Sequence, residues 1–196
     1  DVAPSRGLGD VYKRQDRSVC VLFGDGAGAV VLKAVDNNTE DVTGALVGHE
    51  RGIIDSNIYN DGTGASVLTG GRRFSDSCST DIFIHMDGQE VFKFAVKSVP
   101  TAIETLLHNN NMDINEVDKF ILHQANVRII ESVAKRLKAD KDKFPVNLNE
   151  YGNTSSASIP ILLDELNRNG SLKQGEKLVL AGFGAGLSWG SILLVW

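Results

Sequence analysis

The stretch that most constrains this chain is VDKFILHQANVRII at 117–130. Phe120, Ile121 and Leu122 form an apolar run of strand length, and from Val127 onward the apolar spacing turns helical. The segment therefore reads as buried strand, polar turn, helix. His123 falls where the strand ends, which is where open α/β sheets place ligand sites. Two more polar or glycine-rich turns follow. YGNTSSAS at 151–158 leads into a helix, and GFGAG at 182–186 follows another apolar strand. The remaining elements can be read as a scaffold for these three turns.

Composition narrows the function classes. A net charge of −5 argues against general nucleic-acid binding. Cys20 and Cys78 give neither a disulfide framework nor metal-ligand spacing, so a reducing, cytoplasmic setting fits. Residues 178–196 lack charge but carry four glycines, and two buried strands joined by a glycine turn explain them better than a membrane helix.

Residues 1–15 have no periodicity and are set aside from the fold as a disordered or non-native stretch. Residues 18–34 read as strand, tight glycine hairpin (GDGAG at 24–28) and second strand, a faint repeat of the GFGAG turn and the strand after it. A further strand is expected over 43–49. Residues 55–80 show no apolar period and read as a functional or mobile loop. A helix begins at Asp87, with Glu90 in the capping-box position. It buries Val91, Phe94, Ala95, Ser98, Ala102, Ile103 and Leu106, should kink or break at Pro100, and ends at Asn109 to Asn111. A second helix over 127–138 buries Val127, Ile130, Ala134 and Leu137. A third, capped by Ser155 or Ser156, reaches Arg168 with Pro160 in its first turn. Helices alternating with apolar strands give an α/β layered fold.

The chemistry of the turns rests on His123 and Asn153. Both side chains can donate a hydrogen bond while uncharged. Two neutral donors aimed at one carbonyl oxygen would stabilise an enolate as its charge develops, and an Asp at 153 would repel it. Backbone N–H groups of the 182–186 turn could serve a second oxyanion. A glycine turn between strands and an Asn before a helix also have plain structural uses.

Taken together, the segments VCVLFGDGAGA (19–29), MDGQEVFK (86–93), HQANVR (123–128), YGNTSSA (151–157) and GFGAGLSWG (182–190) resemble the β-ketoacyl-acyl-carrier-protein synthase III family, within the thiolase-like condensing enzymes. The resemblance runs in order from residue 16 to 196. It implies an incomplete thiolase-like αβαβα fold, with 16–48 as the terminal strands of an N-terminal half and 49–196 as the C-terminal half. It also implies a decarboxylating Claisen condensation in the initiation of fatty-acid synthesis, an acyltransferase reaction. Acyl-CoA and malonyl-acyl carrier protein are the substrates, with no other cofactor and no metal. His123 and Asn153 match the pair that binds the malonyl thioester carbonyl, and Gly184 and Ala185 the oxyanion-hole turn. Met86, Gly88, Phe92, Ala125 and Asn126 match positions lining the acyl and pantetheine tunnel. Arg128 matches a residue that docks the acyl carrier protein. It opens a basic segment, 128–143, with six Lys or Arg against three acids.

Nothing here matches the family's nucleophilic cysteine. Cys20 lies within the apolar run before the glycine turn and reads as an inert buried thiol. The expectation is a fragment that forms no acyl-enzyme, taken from an enzyme that is a homodimer when complete, with neither nucleic acid nor membrane as partner. Alternatives are a polyketide- or quinolone-type condensing enzyme, or a non-catalytic subunit pairing with a complete synthase. The intact His123 and Asn153 speak against the last. His49, His85 and His108 match no motif.

Overall fold

The computed structural model describes residues 19–34, 51–70 and 83–196. The main sheet has four strands in the order β1-β6-β5-β4: β1 (Gly52–Asn60), β4 (Lys119–Leu122), β5 (Lys177–Gly184) and β6 (Ser188–Val195). β4 runs parallel to β5, while β6 is antiparallel to both β5 and β1. A two-stranded ribbon, β2 (Leu68–Gly70) with β3 (Ile84–Met86), stands apart from it. The helices are α1 (Gly88–Asn109), α2 (Val127–Leu137), the short α3 (Leu148–Tyr151) and α4 (Ser158–Arg168).

Strand alternation decides which helix covers which face. Successive side chains point to opposite sides of a sheet. Phe120, Leu122, Val179 and Ala181 join α1 and α2 in one apolar cluster. Ile121 and Leu178, one residue out of phase, join Leu162, Leu163 and Leu166 of α4 in another. β4 and β5 are therefore covered on both faces, which is why they read as continuous apolar runs. Phe120 is fully buried and stacks on Phe144 with ring centroids 4.6 Å apart. Burying a side chain of that size contributes roughly 1.5–3 kcal/mol. The layered α/β reading holds, as do the two glycine-joined strands at the end of the chain.

Helix α1 starts as expected, with the Asp87 carboxylate accepting the Gln89 and Glu90 N–H groups. Glu90 does not reach back to complete a capping box; it pairs with Lys93 at 2.7 Å. Nor does Pro100 break the helix, which runs through it to Asn109. A proline leaves the carbonyl four residues earlier without its helical donor. That carbonyl belongs to Val96, and Arg136 Nη1 of α2 stands 3.5 Å from it, at the long limit of a hydrogen bond. Pro100 itself is buried in the α1 interface.

Four other expectations are corrected. Residues 19–34 form no hairpin: 19–22 turn, and among the described residues the one pairing is a parallel bridge between Phe23 and Asn153. Val30, Val31 and Leu32 are 65%, 96% and 75% exposed, because an apolar strand pattern makes a strand only when a ladder partner stands beside it, and none does among the described residues. Residues 55–60 are not loop but part of β1, a nine-residue strand at the end of the sheet formed by the described residues. Most of its side chains are exposed, so it carries no apolar period. Val127, expected to be buried, is 42% exposed, and Ile129 and Val133 take the buried stripe of α2. Neither Ser155 nor Ser156 caps α4, which is preceded by a 3-10 turn over Ser155–Ala157 and begins at Ser158 without a side-chain cap. The strand expected over 43–49 and the loop residues 71–80 lie outside the described residues.

Candidate active site

The three turns converge. His123 follows β4 directly, its N–H donating to the Ala181 carbonyl of β5 at 2.8 Å. That bond extends the parallel register by one residue and fixes where the imidazole emerges. The ring meets Phe183 edge-on, centroids 5.3 Å apart. Its Nδ1 lies 2.7 Å from Ser158 Oγ at the start of α4. Burial holds the imidazole pKa down, to about 4, so the ring is neutral at pH 7. The residue is half-buried because one side opens on a cavity.

Asn153 is positioned by backbone from two directions. Its N–H donates to the Leu22 carbonyl at 2.9 Å, and its carbonyl accepts the Gly24 N–H at 3.0 Å. Its side-chain Oδ1 accepts the Ser155 N–H at 2.9 Å, which leaves the Nδ2 donor end for the cavity that Asn153 lines. The turn that does this is unusual backbone. Gly152 has φ 67° and ψ −165°, a region essentially reserved for glycine, and Ser155 is left-handed at φ 52°.

The glycines of 24–28 now have a physical reason that the hairpin reading missed. A Cβ on Gly24 would stand 1.9 Å from the Tyr151 carbonyl oxygen. One on Gly26 would meet Thr154 at 2.9 Å, and one on Gly28 would meet Pro160 at 2.4 Å. The segment lies flat across the Asn153 turn and the start of α4. Only glycine permits that approach.

A cavity of about 650 Å³ opens between these parts. Its wall includes every expected site residue but one: His123 and Asn153, Gly184 and Ala185, and the tunnel positions Met86, Gly88, Phe92, Ala125 and Asn126. Asn126 also caps α2, its Oδ1 accepting the Arg128 N–H. Arg128 lies outside, in an adjoining cavity of about 350 Å³ that shares Gly88, Phe92 and Asn126 and adds Lys93. The wall is mostly apolar in character, with a few polar groups facing inward, the usual build of a small-molecule site. Among the described residues, no cluster of His, Cys, Asp and Glu is arranged to hold a metal ion, and no helix is long and apolar enough to cross a membrane.

The sequence reading missed Ser158, Phe183 and the buried Gln124. Gln124 Nε2 donates to the Leu122 carbonyl, and its Oε1 accepts the Asn147 N–H, tying the His123 turn to the segment before α3. A Ser at the start of a helix reads as a cap, and a Gln after a His reads as surface, so neither gave a signal. Cys20 is half-buried in the turn at 19–22 rather than within a strand, and Cys78 lies outside the described residues.

Residues 107–196 match the model of the 3-oxoacyl-[acyl-carrier-protein (ACP)] synthase III C-terminal domain, and residues 5–62 match the 3-oxoacyl-[acyl-carrier-protein (ACP)] synthase III model. The chain belongs to the β-ketoacyl-acyl-carrier-protein synthase III family. It is 43% identical over 195 residues to the β-ketoacyl-[acyl-carrier-protein] synthase III of Clostridium acetobutylicum, covering 96% of this chain and 56% of that protein. Its fold superposes with a TM-score of 0.83 on the crystal structure of 3-oxoacyl-[acyl-carrier-protein] synthase III from Aquifex aeolicus VF5, at 39% identity over 96% of this chain and 55% of the other. The Thermus thermophilus synthase III gives 0.83 at 35% identity, over 96% and 56%. The chain thus spans about half the length of the synthases it matches. The thiolase-like fold implied by the motifs is the fold of this family.

Proposed function

We propose that this chain is the part of a β-ketoacyl-acyl-carrier-protein synthase III that decarboxylates malonyl-acyl carrier protein and presents the resulting carbanion to an acyl group, in the condensation that initiates fatty-acid synthesis. The observation that carries the reading is the pair of neutral donors, His123 and Asn153, on one cavity wall. Loss of CO₂ from a malonyl thioester leaves an enolate whose oxygen gains negative charge. Two preorganised uncharged donors stabilise that oxygen without also binding the substrate carboxylate as a cation would, so the stabilisation grows toward the transition state. Gly184 and Ala185 serve the oxyanion formed when the acyl group is attacked. Met86, Gly88, Phe92, Ala125 and Asn126 line the path of the acyl-CoA pantetheine arm. Arg128, exposed beside Lys93, docks the acidic carrier protein by charge.

The protein acts in the cytoplasm, and the full-length enzyme is a homodimer. Residues 16–48 belong to the N-terminal half of the thiolase-like fold and 49–196 to the C-terminal half. The acyl-accepting thiol is neither cysteine of these 196 residues. Cys20 does not line the cavity, and Cys78 matches no family nucleophile. The isolated chain therefore forms no acyl-enzyme, and intact-mass spectrometry after acetyl-CoA treatment should show no added acetyl group.

The function is tested in a synthase of the relatives' full length that carries this sequence. Supplied with acetyl-CoA and malonyl-acyl carrier protein, it should form the β-ketoacyl product. Arg128→Glu should weaken use of the carrier protein and leave acyl-CoA loading intact. Absence of product from the unaltered enzyme would overturn the assignment.

A further inference from the structure

Ser158 holds a position that the family motif does not explain by itself. It is the first residue of α4, and it is 2% exposed. Its Oγ has two partners, both on the turn after β4: the Gln124 N–H at 3.2 Å and His123 Nδ1 at 2.7 Å. The first can only donate to the hydroxyl. The second can donate or accept, depending on the imidazole tautomer.

The hydroxyl's own proton decides between these. If Nδ1 carried a hydrogen, Oγ would accept two hydrogen bonds, and its O–H would need a third partner. Among the described residues none stands at that oxygen, and leaving a buried hydroxyl proton unpaired is costly. With Nδ1 bare, Ser158 donates to it and accepts from Gln124, and every group in the triad is satisfied. The proton then sits on Nε2.

We propose that Ser158 is a positioning residue that fixes His123 as its Nε2–H tautomer, so that the ring presents a donor to the cavity rather than a lone pair. This rests on the functional reading above, since a donor at Nε2 is what a developing enolate needs. The Ser158 Oγ hydrogen bond also limits rotation of the ring. Gln124 supports the arrangement, because its backbone N–H takes one of the serine's two lone pairs and leaves the O–H to point at Nδ1. The role is to orient a group that touches substrate, not to touch substrate itself.

The test reads the tautomer directly, without activity. Imidazole nitrogen resonances of the 196-residue chain, recorded with ¹⁵N-labelled histidine at pH 7, distinguish a protonated from a bare ring nitrogen. The His123 signals are identified by their loss in His123→Gln. The expected spectrum has His123 protonated at Nε2 alone, with a Nδ1 resonance displaced by an accepted hydrogen bond. Ser158→Ala should remove that displacement, and Ser158→Thr, which keeps the hydroxyl, should restore it. A wild-type His123 protonated at Nδ1 would overturn the proposal, whatever the variants do. So would a Nδ1 resonance unchanged in a folded Ser158→Ala chain. The predicted tautomer and shift in a protein whose full-length form decarboxylates no malonyl thioester would support the positioning role and contradict the function.

Discussion

The side-chain oxygen of Asn153 accepts the backbone N–H of Ser155 at 2.9 Å, so the acceptor end of the amide is engaged by its own turn and the donor end is left for the cavity. That single bond gives Asn at this position its direction. An Asp could make the same bond to Ser155 and keep the turn, but it would offer the cavity a second carboxylate oxygen where the amide offers an N–H.

Asn153→Asp should therefore separate fold from function. Thermal unfolding of the variant should stay close to that of the parent. Malonyl-thioester decarboxylation by the full-length synthase should fall about 10²–10³-fold, the usual cost of removing one oxyanion donor. A variant that melts far earlier than the parent would show that the amide's part in the turn is larger than one hydrogen bond.

Gly24 stands where a methyl group would meet the Tyr151 carbonyl at 1.9 Å. Gly24→Ala must push the 22–24 segment off the Asn153 turn and break the two hydrogen bonds that pin Asn153. We expect a loss of about 1–3 kcal/mol in denaturant unfolding. Gly70→Ala is the control, because among the described residues nothing lies within 4 Å of the added methyl, and it should change stability little.

Asn57 fastens β1 to two neighbours. Its Nδ2 donates to the Ala102 carbonyl of α1 at 2.8 Å, and its Oδ1 accepts from both the N–H (3.0 Å) and the Oγ (2.7 Å) of Ser191 on β6. Truncation removes the Asn57 partner from the buried Ala102 carbonyl and from the buried Ser191 N–H and hydroxyl. Asn57→Ala should cost about 1–3 kcal/mol by chemical denaturation. A cost within experimental error would mean that the β1–β6 ladder alone secures the strand.

Stability should also fall on acidification in a window set by His123. Burial lowers its pKa from 6.5 to about 4, so between those values the unfolded chain binds a proton that the folded chain refuses. The His123 contribution is complete above pH 6.5, is lost progressively as pH falls toward 4, and is flat below that. The loss is on the order of 2–3 kcal/mol, reduced by the ring's partial contact with solvent in the cavity. Unfolding free energies of the parent and of His123→Gln across this range should converge as the pH drops. Parallel curves would contradict the burial argument.

The candidate site was more legible in the sequence than the fold around it. His123 could be placed because an apolar strand gives way to helical spacing at that residue, and the residues matched to the tunnel all reach the cavity wall. What escaped notice was held by polar or backbone contacts, which leave no periodic trace. β1 is secured by its ladder and by Asn57, so it reads as loop. Ser158 is buried by the packing of α4 against the His123 turn, which no local pattern encodes. The apolar residues 30–32 show the converse, a strand pattern with no neighbour to pair with among the described residues, and the 24–28 glycines serve close approach to Tyr151, Thr154 and Pro160 rather than a hairpin.

The most direct test of the account is release of CO₂ from a malonyl thioester by the full-length synthase carrying this sequence, with no acyl-CoA present. The unaltered enzyme should release CO₂, and His123→Ala and Asn153→Ala should each reduce the rate by about 10²-fold or more while the protein stays folded. CO₂ release that is undiminished in both variants would contradict the assignment of the two residues as the donors that stabilise the enolate.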